Sequence, residues 1–149
     1  MPQTRITVIS SSGEEQLLLE ISYELDADGF ENKMVLSTEY RGKAISAVGI
    51  HYPFEDTFSD LQNKLPEGVL LKACVSCRHG NLCPVGSDIN EVFCTKNVEI
   101  TKAEDLWQYT EDPSERAVRS RTFNDCCPDF AAQTKEHYTY SDWLEHLNQ

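Results

Sequence analysis

Four of the chain's six cysteines fall within residues 72–94, KACVSCRHGNLCPVGSDINEVFC, and the other two stand side by side at positions 126 and 127. Cysteines serve as metal ligands, disulfide partners, redox dithiols or nucleophiles. Cys74 and Cys77 are separated by two residues, a spacing that can turn both sulfurs toward one ion. Because Zn²⁺ takes four tetrahedral ligands, this pair would supply half of a structural zinc site.

The other two ligands must come from the remaining thiols or from a histidine, of which His79 is nearest in sequence. Cys94 ends a predicted strand, and the proline after Cys127 favours Cys127 over its neighbour by fixing the local turn. Adjacent cysteines seldom both reach one tetrahedral ion, so Cys126 is interpreted as a buried small apolar residue or a spare thiol. Cys83, in a loop of turn-forming residues, could substitute as a ligand. The predicted zinc ligands are Cys74, Cys77, Cys94 and Cys127.

Other uses of the thiols stay open beside zinc. The first ten residues lack a secretory signal and no apolar run is long enough to cross a bilayer, so a cytoplasmic location is expected, where disulfides are rare. A redox dithiol should open a helix that lowers the thiolate pKa, and residues 78–84, RHGNLCP, do not have a helical pattern. Structural zinc is therefore favoured over unligated thiols, redox chemistry and disulfides.

No catalytic signature accompanies the cysteines. The sequence contains no glycine-rich phosphate loop, no H-E-x-x-H and no G-x-S-x-G, and none of its four histidines has a spacing that implies a Cys–His pair. A non-enzymatic protein is favoured. The alternative is a small thiol- or zinc-dependent enzyme that uses the cysteine loop, with Cys83 or Cys126 as its reactive thiol.

The N-terminal half is predicted to be an antiparallel β-meander. Apolar and polar residues alternate with the period of a strand that has one buried face, and Asp28-Gly29 and Arg41-Gly42 supply tight turns. Strands are expected at residues 5–9, 17–25, 34–40, 44–50, 69–73 and 91–95.

Helices interrupt and follow these strands. Phe54, Phe58, Leu61 and Leu65 share one face of an amphipathic helix, and acidic residues such as Glu55 lie on its solvated side. Two short helices near the C terminus carry tryptophans, at 107 and 143, that we expect to anchor core packing.

The fold class that follows is α+β. We expect an antiparallel meander sheet of about five to six strands with one amphipathic helix and two short C-terminal helices, in which the cysteine-rich loop closes a zinc site. Residues 1–149 are expected to form one domain. Its parts are the meander with the helix (1–73), the cysteine-containing region (74–130) and the C-terminal tail and helix (131–149).

The charge of the chain bears on its partners. The formal net charge is −12, and the excess of acidic residues lies on both sides of a neutral cysteine segment. A field of this sign repels nucleic acid and anionic lipid but attracts a basic protein. We therefore expect a basic protein partner, and neither nucleic acid nor a membrane; the sequence does not indicate an oligomeric state.

The cysteine pattern also carries a resemblance. The C-x₂-C pair followed by Gly80, then Pro84-Val-Gly86, Phe93-Cys94 and Cys127-Pro128-Asp-Phe130, resembles a group of small bacterial domains of unknown function. The resemblance covers about residues 72–130. It implies that the recurring thiols are Cys74, Cys77, Cys94 and Cys127.

Charge and motifs together favour a non-enzymatic acidic binding protein. The function expected is that of a bacterial immunity or antitoxin-like protein that neutralises a basic toxin and carries a structural zinc. The alternatives are the small enzyme described above and a scaffold domain that binds other proteins through its sheet edge.

Overall fold

The computed structural model describes residues 3–29, 31–50, 53–84 and 91–147. The chain divides into two compact units, one of Met1–Leu71 with Glu145–Gln149 and one of Lys72–Leu144. Each unit is built around a sheet of its own. The expectation of one domain over residues 1–149 stays a prediction.

The first unit contains a five-stranded sheet in the order β4-β3-β2-β1-β5. The four strands that begin the chain pair with their sequence neighbours in antiparallel fashion, which confirms the predicted meander. The strands are β1 (Gln3–Ser10), β2 (Gly13–Leu25), β3 (Glu31–Tyr40), β4 (Lys43–Gly49) and β5 (Leu70–Lys72).

Alternation along these strands separates a buried face from an exposed one. Ile6 is opposite Leu17, and Ile21 is opposite Leu36, which in turn is opposite Ala47, so apolar side chains of neighbouring strands meet in the core. The β3–β4 turn has positive φ at both Arg41 (48°) and Gly42 (84°), as a two-residue hairpin turn matched to strand twist requires.

Helix α1 (Pro53–Lys64) buries its apolar face, including Phe58 and Leu61, as the sequence predicts. Its polar side also makes structural contacts: Asp60 Oδ2 accepts from Val48 N at 2.9 Å, and Lys64 Nζ donates to Ser46 O at 2.8 Å. These two bonds occupy backbone groups of the edge strand β4, which reduces its capacity to pair with another strand. Glu55 is buried, so its predicted solvated position is wrong.

The second unit contains a smaller, three-stranded antiparallel sheet in the order β6-β7-β8. Its strands are only two or three residues long, and short helices connect or follow them. Its elements are β6 (Gly80–Asn81), β7 (Val92–Cys94), α2 (Trp107–Glu111), α3 (Pro113–Arg119) and β8 (Ser120–Arg121). Helix α4 (Trp143–His146) begins in this unit, and its last two residues are assigned to the first unit. The strand predicted at residues 91–95 belongs to this second sheet.

The two tryptophans have different environments. Trp143 is buried, as predicted, with 3% of its surface exposed. Trp107 is 46% exposed, so its predicted core position is wrong. The reason is local: the preceding residue, Leu106, is fully buried, and of the described residues of α2 only Thr110 is buried.

The α+β fold class is confirmed by these two sheets and their helices. The zinc closure that formed part of the fold prediction is not supported by the arrangement of side chains in the described residues. No helix in the described ranges is long and apolar enough to cross a membrane.

Candidate metal centre

Cys74 and Cys77 lie at the two ends of a single tight turn. Residues Cys74–Ser76 form one turn of 3₁₀ helix, in which Cys77 N donates to Cys74 O at 3.3 Å. Gly80 N then donates to Cys77 O at 3.0 Å. A Cβ atom at Gly80 would overlap the carbonyl group of Cys74, so this close return of the chain requires glycine. The turn explains why the two thiols and the glycine occur at this spacing.

Pairing in the small sheet positions Cys94 near the turn that holds Cys74 and Cys77. It is the last residue of β7 and is directly opposite Gly80 of β6 in the antiparallel register. Arg119 supports this strand end by donating from Nη1 to Cys94 O at 3.1 Å. Strand pairing therefore brings Cys94 opposite Gly80, 14 residues away in sequence and three residues after Cys77.

The adjacent residues Cys126 and Cys127 belong to a third segment. Cys74 N donates to Asp125 O at 2.7 Å, and Val75 N donates to Phe123 O at 3.0 Å, which holds residues 123–127 against the 3₁₀ turn. After Cys127 the chain turns again, with Phe130 N donating to Cys127 O at 3.2 Å. The predicted turn at Cys127-Pro128 is thus present.

These three segments surround a cavity of about 260 Å³. All four predicted zinc ligands line it, and so does a fifth cysteine. The thiols on the cavity wall are Cys74, Cys77, Cys94, Cys126 and Cys127. Cys77 is buried and Cys126 is exposed, so the interpretation of Cys126 as a buried residue is wrong. Cys83 is buried and is not among the described residues that line the cavity.

The electrostatics of Cys74 show that the thiols act on one another. Burial, followed by the carboxylate of Asp125 and the thiols of Cys77, Cys94 and Cys127, raises the pKa of Cys74 to about 12. An uncompensated thiolate is thus disfavoured at this position. A bound cation would reverse the preference, because a metal ion stabilises the deprotonated sulfur.

Polar groups beside the thiols complete the wall. The imidazole of His79 has its pKa lowered by burial and by His137, whose ring meets it edge to face at 5.5 Å between centroids. Lys96 Nζ forms an ion pair with Asp129 Oδ2 at 3.0 Å. The sequence indicated His79 as the histidine nearest to the cysteine pair. It did not indicate Lys96 and Asp129, because they share no motif with the cysteines and come from separate segments, after β7 and in the Cys127 turn.

The chemistry of the donor set fits zinc, since four thiolates are a common structural ligand set for this ion. The geometry is more open than a closed site requires: among the described residues, no three Cys, His, Asp or Glu side chains are arranged to hold a metal ion. The structure therefore brings the predicted ligands to one cavity without bringing their sulfurs together around one point. Zinc binding stays a prediction.

Comparison with known proteins adds no assignment to this site. No protein-family model, curated protein or solved structure matches the chain. The resemblance to small bacterial domains consequently stays a prediction too.

Proposed function

We propose that this chain is a non-enzymatic, acidic binding protein whose second compact unit holds a structural zinc ion at Cys74, Cys77, Cys94 and Cys127. The observation that carries the proposal is the convergence of these four cysteines, from three separate segments, on one cavity. When bound, the ion would supply four strong bonds between those segments. The proposal includes a cytoplasmic location, where thiols remain reduced and available to metal.

The chain's own residues are arranged to use such a cross-link. The 3₁₀ turn positions Cys74 and Cys77, pairing with Gly80 positions Cys94, and the backbone bond from Cys74 N to Asp125 O positions the Cys127 segment. Closing long loops in this way stabilises a fold by restricting the unfolded chain.

The proposed partner is a basic protein, such as the toxin neutralised by an immunity or antitoxin-like protein. The support is the charge: the chain has 25 acidic and 13 basic residues, so acidic side chains outnumber basic ones by 12. Such a surplus accelerates association with a cationic surface and makes the rate depend on ionic strength.

The decisive test is native mass spectrometry of protein purified without added metal, compared with the denatured mass and a count of reactive thiols. We expect one zinc ion per chain and four protected thiols. Cys74→Ser should abolish zinc retention and Cys83→Ser should preserve it, because Cys83 does not line the cavity. A metal-free native mass with six reactive thiols would overturn the zinc proposal.

One observation favours a second candidate, the thiol-dependent enzyme. Cys126 is exposed on the cavity wall and is not among the four proposed ligands, which leaves it accessible to a small electrophile. Alkylation of the native protein with iodoacetamide at neutral pH distinguishes the candidates. Reaction at Cys126 faster than that of an ordinary exposed thiol supports the enzyme, and uniformly slow reaction at all six positions removes it.

A further inference from the structure

The second unit exposes apolar side chains on a charged pair of helices. The segment 99–119, here called the acidic hairpin, contains the 3₁₀ turn Ala103–Leu106 and helices α2 and α3. Trp107 is 46% exposed and Val118 is 64% exposed. Every residue of α3 is described and none is buried. Tryptophan is usually largely buried, and an exposed one is a frequent centre of a protein–protein interface.

The acidic hairpin buries Ile100 and Leu106, and contacts of its polar side chains also hold it together. Asp112 caps α3 by accepting from Ser114 N at 2.9 Å and Glu115 N at 3.4 Å. The guanidinium of Arg119 lies 4.7 Å from the centre of the Tyr109 ring, which joins α3 to α2. A surface that is ordered before binding loses less conformational entropy when a partner docks, so contacts made by Trp107 would require little further ordering of the hairpin.

The charge of this segment indicates the partner's chemistry. Residues 99–119 include six acidic and three basic residues. Two of the three basic side chains are already engaged in ion pairs, Arg116 with Glu91 at 2.7 Å and Arg119 with Glu115 at 2.8 Å. Glu104, Glu111 and Asp112 are exposed. A second copy of this chain would meet like charge here, whereas a basic protein would meet opposite charge.

We infer that the acidic hairpin is the surface that docks the basic protein partner, with Trp107 inserted into an apolar site on that partner and exposed carboxylates around it paired with lysine or arginine. The inference rests on the proposed binding function and assigns it to particular residues.

The test uses the full-length protein and a synthetic amphipathic peptide of lysine and leucine as the probe. Two reference peptides separate the contributions: a lysine peptide of equal charge without leucine, and a glutamate–leucine peptide. We expect the lysine–leucine peptide to shift Trp107 fluorescence to shorter wavelength, because Trp107 moves from water to an apolar site while Trp143 is already buried. The glutamate–leucine peptide should not bind.

Variants then assign the surface. Trp107→Ala should weaken binding of the lysine–leucine peptide at least about tenfold, as truncation of an interface anchor does. Leu25→Ala is the matched control, since Leu25 is 62% exposed in the first unit. Glu104→Gln with Glu111→Gln should weaken binding about threefold and reduce its salt dependence, whereas Glu39→Gln with Glu67→Gln should not. Thermal melts confirm that each variant is folded.

Each other outcome counts against the inference in a distinct way. If the probe binds all variants equally, the docking surface is wrong and the proposal of a basic partner survives. If neither lysine peptide binds the wild-type protein, the basic-partner proposal fails and the docking surface with it. If sedimentation shows a wild-type dimer that Trp107→Ala dissociates, the surface joins copies of this chain and the inferred partner is wrong.

Discussion

The two compact units differ in strand length and in the size of their buried apolar core. The first has strands of seven to thirteen residues apart from β5, and its buried side chains are mostly large aliphatic and aromatic ones. The second has strands of two or three residues, and among its described residues the buried apolar set is smaller and includes Cys77 and Cys83. A sheet this small is not expected to be stable alone, because isolated short hairpins are marginal in water.

In the second unit, hydrogen bonds of buried polar side chains compensate in part for the smaller apolar core. Asn81 donates to Thr95 Oγ1 at 2.9 Å and accepts from Tyr140 N at 2.8 Å. Gln133 Nε2 lies 3.4 Å from the carbonyl oxygens of both Val75 and Cys77. Such bonds specify how loops fit together but contribute little net free energy each, about 1 kcal/mol. The comparison teaches that the second unit has most to gain from a metal cross-link.

The largest expected effect is therefore the response to metal removal. A strong zinc chelator, or Cys74→Ser, should strongly reduce amide protection across residues 72–144 and leave protection in β1–β4 nearly unchanged, because only the second unit depends on the thiols. Hydrogen exchange read by mass spectrometry measures this, with Cys83→Ser as the control. An equal loss of amide protection in both units, or no loss in either, would contradict the conclusion that the second unit depends more on metal.

A core substitution in the first unit should destabilise that unit whether or not metal is bound. Phe58 is almost fully buried in α1, and Phe58→Ala should lower the free energy of unfolding of this unit by about 3 to 5 kcal/mol through lost burial and the cavity left behind. Chemical denaturation with and without chelator measures it. The loss should be the same in both conditions; a loss that disappears with chelator would show that the first unit also depends on metal.

A smaller effect is expected for the carboxylate that joins β7 to α3. Glu91 is 8% exposed and accepts from Arg116 Nη2 at 2.7 Å and from Ser120 Oγ at 2.6 Å. Glu91→Gln keeps the shape but leaves Arg116 without its countercharge, so we expect a loss of about 1 to 3 kcal/mol in the second unit, moderated because Arg116 is partly exposed. Denaturation with zinc present checks this, with Glu99→Gln as the exposed control.

The smallest expected effect concerns the sheet edge in the first unit. Asp60→Ala removes the acceptor for Val48 N and should lower the free energy of unfolding by about 1 kcal/mol. The opened edge should also increase concentration-dependent association, which light scattering detects. Glu67→Ala, at an exposed position after α1, is the control. Unchanged stability and scattering would show that the Asp60 bond does not protect the edge.

Much of the first unit was predictable because its signals are local. Alternation in β2 and the helical period of α1 identify their buried faces directly, since one side of each element must leave water. Glu55 was misplaced because periodicity marks the polar side of a helix but does not reveal whether a neighbouring segment covers it. Trp107 was misplaced because tryptophan is apolar on average, while Leu106 beside it occupies the core.

At the candidate site, the sequence by itself determined the residue types: a C-x₂-C pair, a glycine three residues later, further thiols at 94 and 127, and a net charge of −12. Only the tertiary structure decided that these thiols share one cavity, that Cys126 joins them while Cys83 does not, and that Lys96 pairs with Asp129 beside them. The physical reason is that spacing constrains residues within one turn, whereas the approach of separate segments depends on strand pairing and backbone hydrogen bonds. Examples are Cys94 opposite Gly80, 14 residues away in sequence, and the bond from Cys74 N to Asp125 O, 51 residues away.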